Sequence, residues 1–196
     1  MKTSLAHFIS TVFNPLFLLL FMPLVLVYYS TGDVLSAMHW TAYSAFFLLL
    51  IVAVVVYGVQ KGTFSDLDVS KREQRPLLFL LTIIIAMLYL AGLFVFQAPL
   101  VLFLTIFALM VGTFLASIMN VYLKASLHVA VITGLTITLT VLYKHWYTLL
   151  LLLIPLVAWS RITIKRHTFI ETIAGAVLGS LLSLGMYAVI KFFFNS

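Results

Sequence analysis

Hydrophobic residues in this chain run in long blocks with short polar links between them, rather than alternating or recurring at the spacing of an amphipathic helix. The blocks cover about residues 8–29, 39–59, 77–119, 128–143, 148–159 and 167–194. A bilayer core near 30 Å takes roughly 20 apolar residues per helical crossing. Inside lipid each crossing must satisfy its own backbone hydrogen bonds, which excludes open strands. The pattern therefore predicts an all-α fold, a polytopic transmembrane helical bundle of six to seven helices. The whole chain, 1–196, reads as one integral membrane domain without internal repeats. Pro15 and Pro23 are expected to bend the first crossing. Pro76 opens the third as a first-turn proline does, and Gln97-Ala98-Pro99 splits the 77–119 block into a hairpin. Residues 144–147 form a turn before the sixth helix, and Gly175, Gly179 and Gly185 permit close helix packing in the last.

The links differ sharply in charge. Residues 30–38 carry Asp33 and neither Lys nor Arg, whereas 61–76, 120–128 and 160–167 hold most of the cations. Counting crossings puts these three basic links on one side, and their charge predicts the cytoplasmic face of the cell (inner) membrane. Composition agrees: 64% of residues are hydrophobic and 8% charged, against about 25% charged in soluble domains. No separate soluble domain fits. The net charge of +6 is what basic loops alone produce, so it is no argument for nucleic acid. The chain has no Cys and hence no disulfide. Lys2 precedes an apolar run that lacks a small-x-small cleavage pattern, so the first helix reads as uncleaved.

Candidate chemistry concentrates in residues 160–171, Ser-Arg-Ile-Thr-Ile-Lys-Arg-His-Thr-Phe-Ile-Glu. In a helix starting near His167, His167 and Glu171 are one turn apart on the same face. A carboxylate there accepts the Nδ1 proton and leaves Nε2 as a nucleophile or base. Arg161 adds a planar fork suited to phosphate. Plainer uses exist for the same residues. Arg161, Lys165 and Arg166 also suit topology anchoring, and Ser126 with His128 also suits capping of the fifth helix. Glu171 could pair with Lys165 or Arg166, although an acid inside an apolar segment is costly. His7, His39 and His145 fall at other helix ends and read as interfacial. Asp66-x-Asp68 resembles half of a metal-diphosphate site like that of membrane prenyltransferases, but such sites use a second Asp-rich motif that this sequence lacks.

Arg75-Pro76, then Ser126-x-His128, then Ser160-Arg161-x5-His167-x3-Glu171 together resemble the three-part signature of the type 2 phosphatidic acid phosphatase (PAP2) superfamily: Lys-x6-Arg-Pro, Pro-Ser-Gly-His and Ser-Arg-x5-His-x3-Asp. The resemblance covers roughly residues 68–179, with a PAP2-like core of about 61–192, and the last motif is its specific part. It implies a membrane lipid phosphatase acting on a phosphate or diphosphate headgroup of phosphatidate or polyprenyl type, the lipid entering from the bilayer. By the same resemblance His167 is the nucleophile, Glu171 orients it and His128 protonates the leaving oxygen. Arg75, Arg161 and Ser126 hold the phosphate, and the phosphohistidine route needs neither metal nor cofactor. The sequence departs from the signature in four places. Asp68 stands where the family has Lys, with Lys71 or Lys124 as possible substitutes; Ala125 and Leu127 replace Pro and Gly; Glu171 replaces Asp. These departures leave an alternative: a catalytically impaired lipid-phosphate binding or transport protein on the same fold.

Overall fold

A computed structural model describes residues 2–143 and 145–194. Described residues form helices and loops, without strands. Six helical stretches are long and apolar enough to cross a membrane: Lys2–Thr31, Val34–Gln60, Arg72–Val95, Leu100–Tyr122, His145–Thr163 and Phe169–Val189. A seventh, Leu127–Val141, is apolar but shorter. The all-α polytopic bundle is thus the observed architecture. Contacts group the chain into two compact units, one running to Leu18 and resuming at Ile118, the other spanning Leu19–Ser117.

The first crossing is broken, not bent. Helix α1 (Lys2–Val12) stops, and α2 (Pro15–Thr31) starts afresh. Asn14 makes the new start: its Oδ1 accepts the Leu16 N–H at 2.9 Å, and its carbonyl accepts those of Phe17 and Leu18. Pro15, lacking an N–H, fits the first helical position that follows. Pro23 stays inside α2.

In the second unit, α3 (Val34–Gln60) is capped by Asp33, whose carboxylate accepts the N–H groups of Leu35 and Ser36. It packs on α4 (Arg75–Val95), which the Gln97-Ala98-Pro99 turn connects to α5 (Leu100–Tyr122). Val27, Ala37, Tyr89, Leu93 and Leu102 form the core. Polar atoms within it are paired. The Tyr43 hydroxyl donates to the Tyr89 carbonyl at 2.9 Å, and the Tyr89 and Ser44 hydroxyls bond at 3.0 Å. An apolar cavity of about 170 Å³ lies among α2 to α5 beside Ser44 and Tyr89.

The first unit contains α1 with α6 (Leu127–Tyr143), α7 (Leu153–Thr163) and α8 (Phe169–Phe194). The sixth crossing enters as a 3₁₀ segment, His145–Leu152, in place of the α-helix expected from residue 148. Pro155 accounts for this, because an α-helix extended backwards would bring its ring against the Leu151 carbonyl; in the first turn of α7 it is tolerated. Helix α8 lies along α6 at backbone contact. A Cβ on Gly175 would strike the Ser126 carbonyl oxygen, and one on Gly179 the Ala130 carbonyl oxygen. The third expected glycine, Gly185, has nothing within 4 Å of such a Cβ, so it takes no part in close packing. A hydroxyl pair, Thr138 and Ser183 at 2.8 Å, ties the same two helices. Helix α1 packs on α7, and Ile9, Val129, Ile132 and Val157 form the unit's core.

Candidate functional site

Two backbone devices fix the link between α7 and α8. The first ends α7: Arg166 N–H donates to the Arg161 carbonyl at 3.1 Å and Lys165 N–H to the Ile162 carbonyl at 2.9 Å. That pair of bonds is a Schellman motif. Lys165 occupies its left-handed position, with φ of 56°, where glycine is usual. His167 N–H also reaches the Arg161 carbonyl, at 3.3 Å. The chain therefore turns back on the residue that carries the guanidinium.

The second device begins α8. Glu171 N–H donates to Thr168 Oγ1 at 3.3 Å, and Thr168 N–H donates to Glu171 Oε2 at 2.9 Å, a reciprocal capping box. The helix starts at Phe169, so His167 precedes it and does not form its first turn as the spacing predicts. Its imidazole still meets the carboxylate: Nδ1 lies 3.0 Å from the same Glu171 Oε2. An ionised carboxylate only accepts, so Nδ1 carries the proton of this contact. Glu171 thus caps the helix and orients the ring with one oxygen.

Arg161 stands in the last turn of α7 and is buried. Its Nη1 donates to Ser10 Oγ, in α1, at 2.7 Å. The start of α6 meets this assembly through its backbone, where Ser126 N–H donates to the Glu171 carbonyl at 3.0 Å. The Ser126 carbonyl takes the first intrahelical bond, from Ala130 at 2.9 Å. Ser126 is therefore the N-cap residue. Its hydroxyl does not cap, however: Oγ is fully buried and without a hydrogen-bond partner among the described residues. His128 follows in the first turn of α6 and is buried too. Lys124 Nζ reaches the Arg166 carbonyl at 3.4 Å, bridging the same two links.

One side of the first unit thus gathers Ser126, the first turn of α6 with His128, the buried Arg161 and the His167–Glu171 pair. The N–H groups of a helix start, a guanidinium and a hydroxyl are what an anion with several oxygens recruits.

Arg75 belongs to the second unit. It is the first residue of α4, buried, with Nε donating to the Val69 carbonyl at 3.3 Å. Pro76 follows it as the second residue of that helix. Asp66 organises the loop before it. Its carboxylate accepts from the Ser65 and Ser70 hydroxyls, each at 2.9 Å, and from the Asp68 and Ser70 N–H groups at 3.0 and 3.3 Å. Partial burial raises the Asp66 pKa, but these donors outweigh it and hold the carboxyl below its ordinary value. Asp66 is thereby occupied as a loop hub, while Asp68 and Lys71 are exposed. His7, His39 and His145 are exposed as well.

Two contacts at the site involve residues that the motif spacing does not single out, Thr168 and Ser10. The first was legible, since Thr-x-x-Glu ahead of an apolar run is a capping-box pattern. Nothing local marks the second. Comparisons of the chain with family models, with curated proteins and with solved structures find no match.

Proposed function

We propose that this chain is an integral-membrane lipid phosphatase of PAP2 type, transferring the phosphoryl group of a lipid phosphate or diphosphate to His167. The observation that carries the reading is the His167–Glu171 contact of 3.0 Å within a link that also buries Arg161. Nε2 of His167 attacks phosphorus in line, forming a P–N bond as the P–O bond to the lipid breaks. His128, as its cationic acid, gives its proton to the departing oxygen. Water then attacks phosphorus, His128 takes the water's proton, and inorganic phosphate leaves with the P–N bond broken. Charge spread over the equatorial oxygens is met by Arg161, the N–H groups opening α6 and the Ser126 hydroxyl.

The test is phosphate release from a panel of detergent-solubilised lipid phosphates and diphosphates, with wild type, His167→Ala and His128→Ala. Both variants are expected to lose release, with activity unaffected by EDTA. Undiminished release by His167→Ala contradicts the mechanism. A second reading, lipid-phosphate binding or transport without turnover, draws support from Asp68, an exposed carboxylate in the signature's Lys position. It predicts saturable binding of the same lipids with no release.

A further inference from the structure

Arg161 is held from far outside its own link. Ser10 lies 151 residues earlier, and the bond of 2.7 Å between its Oγ and Arg161 Nη1 joins α1 to α7. Both residues are almost wholly enclosed, Ser10 at 6% and Arg161 at 4% exposure. Ile9, adjacent to Ser10, belongs to the core cluster of Val129, Ile132 and Val157, with Phe13, one turn on, packed against it. Helix α1 is therefore seated by apolar contact, and Ser10 is the hydroxyl it brings to the guanidinium. We infer that Ser10 is a positioning residue of the phosphate site, fixing the plane of the Arg161 fork, so that α1 completes that site.

This rests on the lipid-phosphatase reading and on two physical points. A guanidinium offers its five N–H groups in one plane, so tying down Nη1 fixes the direction of the others. An arginine already set in place has less freedom to lose when it grips phosphate. The acceptor's charge is the second point. A hydroxyl orients the fork and leaves its positive charge intact, whereas a carboxylate at residue 10 would orient it equally well and cancel that charge. A neutral acceptor such as the Ser10 hydroxyl is thus compatible with an anion site, whereas a carboxylate at residue 10 is not.

The experiment uses the full chain in nanodiscs, with orthovanadate as the binding probe and a short-chain phosphatidate for turnover, on wild type, Ser10→Ala, Ser10→Thr and Ser10→Asp. Loss of one charge-assisted bond should weaken vanadate binding about tenfold in Ser10→Ala, with Ser10→Thr close to wild type. Ser10→Asp should bind at least as weakly as Ser10→Ala while unfolding at no lower temperature than wild type, the pattern that separates charge cancellation from damage to the fold. In turnover, the losses should fall mainly on KM. Wild-type binding by Ser10→Ala or by Ser10→Asp overturns the inference and leaves the phosphatase reading standing. If the wild-type protein neither binds vanadate nor releases phosphate, the reading fails and takes the inference with it. Should Ser10→Ala not fold, the contrast between Ser10→Thr and Ser10→Asp decides.

Discussion

At the scale of single residues, Glu171 has a structural reason to be Glu and not Asp. One oxygen of this side chain serves two donors, the Thr168 N–H at 2.9 Å and His167 Nδ1 at 3.0 Å. Reaching back from the third position of a helix to its cap is what Glu does and Asp, one methylene shorter, does less well. Glu171→Asp should therefore lose both rate and thermal stability. Glu171→Gln, which keeps an oxygen for Thr168 but no longer enforces the Nδ1-protonated tautomer, should hold its unfolding temperature and lose on the order of 10²-fold or more in phosphate release. Thr168→Ala removes half of the capping box and should cost about 1 kcal/mol, recovered by Thr168→Ser; denaturation of the solubilised protein measures it. Asp66 gives a pH signature. Its carboxyl is held below the ordinary value of 3.8, so the loop gains full stability from it above that value and loses it as pH falls through the depressed one. The stability advantage of wild type over Asp66→Asn should accordingly be constant near neutral pH and shrink as pH drops below about 4.

At the scale of elements, what was legible in the sequence was what depends on neighbours along the chain. Apolar block length placed the crossings, and the spacing from Arg161 to Glu171 singled out the residues that the α7–α8 link brings together. The details that escaped depend on local geometry with more than one solution, or on distant partners. Pro15 marked a bend, and Asn14 turned it into a restart. Pro155 shifted the start of α7, and His167 fell outside α8 because Thr168 claimed the cap. The bond from Ser10 to Arg161 has no sequence signal at all, since nothing near residue 10 distinguishes it from any small polar residue in a membrane helix. Two variants test the elements. Gly179→Ala would drive a methyl into the Ala130 carbonyl and into Thr133 Cβ at 2.9 Å, so α6 must shift from α8; a cost of about 1–3 kcal/mol is expected, read as a lower unfolding temperature with reduced vanadate affinity. Lys165→Gly should raise stability by up to about 1 kcal/mol, because the left-handed position that ends α7 suits glycine and penalises a side chain.

At the scale of the whole molecule, a helix start, a buried arginine and a carboxylate-oriented imidazole fall within one compact body that contains α1, α6, α7 and α8. In the proposed reaction the phosphoryl group rests on His167 between lipid and water. The direct measurement is to mix the protein with a lipid phosphate labelled in the phosphoryl group, quench in alkali, which preserves a P–N bond, and map the label by peptide mass spectrometry. The expected result is label on the His167 peptide of the wild-type protein, formed and discharged during turnover, and none at that peptide in His167→Ala. Phosphate release at the wild-type rate with His167 never labelled, or label retained when His167 is replaced, would contradict it.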